Sequence, residues 1–225
     1  MRHFISGISL LFLLLLNTSN CLAQVEIGAY AGLSSLHLSG DRPALSVYKP
    51  GPGLSAGAIF NFNIREDIQI SLQPGVSLMN AKIQTADTVE IYFIKKIEYR
   101  DSVSLRMGFA RLPVLIKVLS DNRRFHFTSG IDFIYLFKSL ADNGVDLVTI
   151  SKDHRAFNVS AKIGMGINFP LGGTNLSLDL IYNQSLNNWS DNKLEDSFIP
   201  RIKSSGIDLN LAWTIPVSRK ERTEQ

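Results

Sequence analysis

The sequence predicts an all-β fold: a closed antiparallel eight-stranded transmembrane β-barrel with short turns at one end and long loops at the other. Three observations carry that expectation. The N-terminus reads as an export signal, apolar residues then alternate with a period of two, and the connections between the alternating segments are by turns short and long. With 45% hydrophobic and 19% charged residues, the chain of 225 residues has enough apolar content for one sizeable folded unit and too much for a disordered one.

The opening "MRHFISGISLLFLLLLNTSNCLAQ" has Arg2 at its positive end, a nearly unbroken apolar stretch from Ile8 to Leu16, and Cys21-Leu22-Ala23 as a small-x-small cleavage site before Gln24. Residues 1–23 are therefore expected to be a secretory signal peptide, 24–217 the barrel and 218–225 a basic polar tail. The apolar stretch is shorter than the roughly 20 residues a membrane helix needs, and no later segment reaches that length, so a membrane assignment must rest on strands. Cys21 is the one cysteine, which leaves 24–225 without a disulfide. Lipidation of Cys21 is the competing reading; Thr18 and Asn20 stand where lipoprotein signals carry leucine and a small residue. Removing Arg2, the one charged residue of 1–23, takes the formal charge from +3 to +2. Basic and acidic residues are intermixed and no basic face is interleaved with aromatics, so nucleic acid is excluded as a partner.

The first strand precedes a long polar segment at about 34–53 and carries Tyr30. In the second, "LSAGAIFNFNI", Leu54, Ala56, Ala58, Phe60, Phe62 and Ile64 oppose Ser55, Gly57, Asn61 and Asn63. After the tight turn "RED" the third, "IQISLQPGVSL", sets Ile68, Ile70, Leu72, Pro74, Val76 and Leu78 against Gln69, Ser71, Gln73, Gly75 and Ser77. The fourth contains "FARLPVLIKV". The fifth, "FHFTSGIDFIYLF", gathers Phe125, Phe127, Ile131, Phe133, Tyr135 and Phe137 on one face, and the sixth, "FNVSAKIGMGINF", gathers Val159, Ala161, Ile163, Met165, Ile167 and Phe169. "NLSLDLIY" and "GIDLNLAWTI" complete the set.

Short turns are expected at Arg65–Asp67, Ser120–Arg124 and Pro170–Thr174, and long polar segments at about 34–53, 80–104, 138–155 and 186–204. This asymmetry is that of outer-membrane barrels, whose periplasmic turns are short and external loops long. Alternation alone also fits a secreted, soluble lipocalin-like barrel binding an apolar ligand, because only the orientation of the faces differs. The polar face decides: it is mainly Gly, Ser, Asn and Gln, which suits a crowded lumen better than a solvated exterior. Tyr30, Phe62, Phe125, Phe127, Tyr135, Phe137, Phe169, Tyr182 and Trp213 fall near strand ends, where interfacial girdles are expected.

"ISLQPGVSL", "ARLPVLIKV", "SGIDFIYLF", "AKIGMGINF" and "DLIYNQSLNNW", in this order and spacing, resemble the porin-family, PorT-like outer-membrane β-barrel proteins of Gram-negative bacteria. The resemblance covers nearly all of 24–217, and Gln73-Pro74 and Leu112-Pro113 are its more specific marks. It implies a small eight-stranded barrel of the OmpA and OmpX type, located in the outer membrane and inserted by the barrel-assembly machinery, with a possible part in transport or protein secretion. The chain departs from a common barrel ending, since "PVSRKERTEQ" follows Trp213 and Ile215.

With Leu112, Val114, Ile116 and Val118 facing lipid, Arg111, Pro113, Leu115 and Lys117 face inward, where the basic groups avoid hydrocarbon. Leu105, Met107 and Phe109 have the opposite apolar parity, which predicts a strand bulge at Pro113, a residue that cannot donate to a ladder. Counted up from the short turns, Arg111, Asp132, Lys162 and Asp208 lie at similar depth with Asp179 somewhat lower, and the five are expected to form one lumenal charge network, either a salt-bridged plug or the lining of a selective pathway.

No cofactor, metal-ligand spacing or nucleotide motif is present, and no catalytic residue is assigned. The enzyme alternative, a rim-located lipid hydrolase, would draw on His37 beside Asp41 or His154 beside Asp153; in "HFTS", His126 and Ser129 fall on opposite strand faces. External loops are the expected carriers of a specific role. Tyr92 and Phe93 lie in a second loop whose β-branched and aromatic residues predict a protruding hairpin, open to strand addition by a protein partner. Trp189 and Phe198 lie in the fourth loop, where contact with lipopolysaccharide is expected. The sequence therefore reads as a noncatalytic structural or interaction protein of the outer membrane.

Overall fold

The computed structural model describes residues 25–40, 46–91, 94–142, 147–149, 156–188 and 202–217, with side chains placed in 25–40, 47–84, 104–140, 156–188 and 202–217. The expected signal peptide, the tail at 218–225, and Tyr92, Phe93, His154, Trp189 and Phe198 lie outside the described residues.

The strands are β1 (Val25–Gly40), β2 (Ser46–Asn63), β3 (Ile68–Leu72), β4 (Gly75–Ile91), β5 (Ile94–Leu119), β6 (Phe125–Asp142), β7 (Leu147–Thr149), β8 (Phe157–Leu171), β9 (Thr174–Ser185) and β10 (Ile202–Val217). They form eight walls, because β3 and β4 are one wall interrupted at Gln73-Pro74 and β7 is a short addition beside the external end of β6. Each wall pairs antiparallel with two neighbours, and β1 closes the ring against β10 from Val25↔Val217 to Gly40↔Ile202. The interruption leaves the ladder in register: Leu72 pairs Val114 and Gly75 pairs Arg111. Pro74 has no N–H to give, but its carbonyl accepts from the Ala58 N–H at 2.9 Å, and the Gln73 N–H donates to the Pro113 carbonyl at 3.0 Å.

The turns at one end are as short as the sequence implies. Between β8 and β9 only Gly172 and Gly173 intervene, with φ of 53° and 91°, a left-handed pair that closes a two-residue hairpin and that other residues adopt only under strain. At the other end the strands run well past the expected wall. The β4–β5 hairpin stays paired to Ile91↔Ile94, so a segment expected as a long loop is an extended ribbon, as its β-branched content also predicts.

Inside and outside follow the alternation. Leu33, Leu54, Val76, Leu112, Ile116, Ile163, Leu180 and Leu209 are exposed, while Ser55, Ser71, Gln73, Thr128, Ser160 and Asn210 are buried. Such an apolar exterior is stable in hydrocarbon and is the reverse of a soluble ligand-binding barrel. Phe125, Phe127, Phe169 and Trp213 circle the short-turn end; Phe133, Tyr135, Phe137, Phe157 and Tyr182 circle the other, with Phe133 and Phe157 stacked at 6.3 Å. Phe125 and Phe137 bracket about 30 Å of height at roughly 3.3 Å per residue and a tilt near 40°, the span of an outer-membrane apolar band with its interfaces. Tyr30 departs from the expected girdle. It points inward, 7% exposed, against Ile59 and Ala212, and lies over Gly57 and Gly75, whose missing side chains admit its ring.

The bulge predicted at Pro113 is also corrected. Pro113 stands in unbroken register opposite Asp132, and the shift between β5 and β6 falls between Gly108 and Phe109, where Phe109 pairs Leu136, Gly108 pairs Lys138 and Phe137 is the extra residue. Leu105, Met107 and Phe109 remain on the same inward face as Arg111, Leu115 and Lys117. The apolar phase changes because the filling of the lumen changes, not because the strand rotates.

Candidate functional site

Charged side chains of several walls converge in the lumen, which is filled in layers. Inward positions alternate with lipid-facing ones along each strand, so every second residue of β1, β5, β6, β8, β9 and β10 contributes to it.

At the short-turn mouth, Glu26 accepts from the Asn61 amide at 3.2 Å and from the Thr214 hydroxyl at 3.2 Å, and the Gln69 amide donates to Asn63 at 2.8 Å. These residues border a polar vestibule of ≈ 160 Å³. Above it Asp179 of β9 takes Lys117 Nζ of β5 at 3.3 Å, and its other oxygen accepts from His126 Nε2 of β6. Gly166 on β8 makes this junction possible: a side chain there would collide with both His126 and Asp179.

The next layer joins four walls. Arg111 of β5 donates to Asp132 Oδ2 of β6 through Nε at 2.8 Å and through a terminal nitrogen at 2.5 Å, and reaches Asp208 Oδ2 of β10 at 3.2 Å. Lys162 of β8 donates to Asp208 at 2.9 Å and stands 3.5 Å from Asp132. Two cations and two carboxylates balance, all four at least nine-tenths buried. That balance is what permits burial, since an unpaired charge would carry its full desolvation cost.

Beyond this layer the filling becomes mainly apolar. Leu36, Leu38, Tyr48, Met79, Leu105, Met107, Phe109, Ile134, Leu136 and Ile202 pack together inside the external end.

The expected single network is thus two. Arg111, Asp132, Lys162 and Asp208 meet as predicted, but Asp179 belongs to the lower junction with Lys117 and His126. Its count from the β8–β9 turn already sets it lower than the other four, and that difference puts it within reach of Lys117 and His126 instead. His126 was missing from the expected network although its parity with Asp132 on the same strand places it inside. Of the hydrolase candidates, His126 is buried in the lumen with Ser129 on the opposite face, and His37 lies exposed on the outward face of β1, opposite Ser205 of β10.

Each cation of these two junctions is held by a carboxylate from another wall, which ties β5, β6, β8, β9 and β10 across the lumen.

The sequence model described as "Outer membrane protein beta-barrel domain" matches residues 17–191. Among solved structures, AlkL in lipid bilayers is 11% identical with a TM-score of 0.49, covering 90% of this chain and 93% of its own. Ail, the attachment invasion locus protein of Yersinia pestis, is 10% identical with a TM-score of 0.45, covering 85% and 99%. OprG from Pseudomonas aeruginosa is 8% identical with a TM-score of 0.39, covering 86% and 96%. Comparison with the curated proteins finds no match.

Proposed function

The chain belongs to the outer membrane protein beta-barrel domain family and is an integral outer-membrane protein; from that premise we propose that it is a noncatalytic barrel with a closed lumen, acting through what it presents outside the membrane. The observation that supports this reading is the stacking of charge-paired and apolar layers along the bore. A conducting pathway needs a continuous wet passage, and the external layer is lined mainly by apolar side chains, a poor substitute for an ion's hydration shell.

The external ribbon formed by β4 and β5 is the element suited to a protein partner, since it carries paired backbone to Ile91↔Ile94 and ends in the segment holding Tyr92 and Phe93. Trp189 and Phe198, between β9 and β10 in the sequence, are proposed to contact lipopolysaccharide. A contribution to transport or to protein secretion, as the PorT-like resemblance implies, belongs to this external side, and the barrel-assembly machinery is the partner expected at insertion. Export by a cleaved signal peptide is part of the same reading.

Planar-bilayer recording with the purified full-length barrel tests it. Absence of stable conductance steps across a wide voltage range is the expected result. Steps that change ion selectivity in Lys162→Met would assign the lumen a transport role instead.

A further inference from the structure

The mouth at the short-turn end holds two charges of opposite sign that no ion pair joins. Glu26 of β1 and Arg123 of the turn between β5 and β6 both border the polar vestibule of ≈ 160 Å³. Around the ring β6 is the fourth wall from β1 in either direction, so the two residues stand on opposite sides of the mouth. Lys117, the third charge at the vestibule, is already held by Asp179 at 3.3 Å. Among the described residues Glu26 has no cation partner and Arg123 no carboxylate partner.

Each charge is held in place by neutral groups. Glu26 Oε2 accepts from the Asn61 amide and the Thr214 hydroxyl, both at 3.2 Å, and Oε1 accepts from the Asn63 amide at 3.4 Å. A carboxylate only accepts, so it turns the NH2 ends of both amides toward itself, and the Gln69 amide completes the order by donating to the Asn63 oxygen at 2.8 Å. A carboxylate takes about four donors, so three neutral ones leave its charge in place and a site on Oε1 open. Across the mouth, Asn122 Oδ1 is occupied by the Ser120 hydroxyl at 2.8 Å and the Arg124 N–H at 3.0 Å, which leaves its NH2 beside Arg123 as a further donor. Arg123 itself has φ of 54°, in the left-handed region that glycine adopts without strain, and its carbonyl accepts from the Asn168 amide at 2.9 Å. The turn therefore carries an arginine side chain at a position where its backbone favours none.

An acceptor pole and a donor pole facing one another across a small polar space select a ligand with an ammonium at one end and a carboxylate at the other. At about 30 Å³ for each water, the space holds roughly five, which admits a free amino acid and excludes a glycan or a folded chain. No aromatic ring among the described residues borders it, so a ligand that binds by stacking has no platform there. We propose that the vestibule binds a small zwitterion of amino-acid size, with its ammonium on Glu26 and its carboxylate on Arg123 and Asn122. The site lies at the mouth and is independent of whether the lumen conducts.

Solution NMR of the full-length, isotope-labelled barrel in a non-ionic glucoside detergent, titrated with L-alanine, tests the assignment. Saturable shifts of the Asn61, Asn63 and Gln69 side-chain amide signals are expected in the millimolar range, as suits so small a ligand. E26Q and R123G are each expected to weaken binding about tenfold, the value of a lost hydrogen bond to a charged group, with heat-modifiable gel mobility retained. R123G also relieves the left-handed strain, so its loss of binding is separate from any loss of fold. R65Q removes an exposed cation of the β2–β3 turn that does not border the vestibule, and is expected to leave binding unchanged. The absence of a saturable shift would overturn the proposal. So would equal binding of ethylamine or of propionate, which would show that one charged end suffices, and equal weakening by R65Q, which would reduce recognition to diffuse charge. Tighter binding of phosphoethanolamine than of alanine would overturn it in favour of a lipid head group.

Discussion

Between Lys117 and Asp208 the lumen is held by directed bonds; between Phe109 and Leu36 it is held by volume. The two halves share one wall and one alternation, and both present the same apolar exterior to lipid. What fills the bore is therefore independent of what the bilayer requires, and the two fillings fail differently. In the charged half each group depends on a partner from another wall, so one deletion strands the rest. In the apolar half a deletion leaves a gap whose cost follows its size.

Arg111→Met is the sharpest break. It leaves Asp132 without its two short bonds and Asp208 with Lys162 alone, and is expected to lower unfolding free energy in urea by about 3–5 kcal/mol. Replacing Asp132 as well, as R111M/D132L, should recover part of that loss, and a double-mutant cycle with no coupling would show that the pair is not a unit. Leu112→Arg tests the wall beside it. The same side chain that Arg111 carries inward would then face mid-depth lipid, with an expected cost of about 2–4 kcal/mol in a bilayer titration. Leu136→Ala, in the apolar half, is expected to cost about 2–3 kcal/mol, with a crystal structure showing a cavity and unmoved neighbours.

The smallest effect has the opposite sign. Ser139 is fully buried and its hydroxyl makes no hydrogen bond among the described residues, so Ser139→Ala is expected to raise stability by about 1 kcal/mol, read as a higher urea midpoint. A loss instead would mean that the apolar half contains a polar contact of its own.

The ring of eight walls, the inward placement of Arg111 and Lys117 and the meeting of four charges were legible because period-two alternation fixes the face of a residue whatever lies beside it. Depth was legible only in rank: the count from the turns sets Asp179 below the other charges, but that the difference separates two junctions depends on the stagger between strands, which has no local sequence signal. From sequence Tyr30 reads as a girdle residue and Pro113 as a bulge for one shared reason: apolar character by itself implies contact with lipid, whereas this barrel also stores apolar residues inside. The fit of Tyr30 over Gly57 and Gly75 joins residues from three walls, and the glycines by themselves read as generic small lumenal positions.

The closure of β1 against β10 has a consequence for how the protein is made. Its 16 consecutive partners join the first wall of the ring to the last, so every earlier wall can pair while the sheet still has two open edges. In hydrocarbon those edges would expose rows of unpaired N–H and carbonyl groups at several kcal/mol each. A chain cut short before Ile202 has no tolerable half-inserted form. Residence in the membrane thus depends on the final strand, which makes completeness of translation a condition that the fold itself inspects.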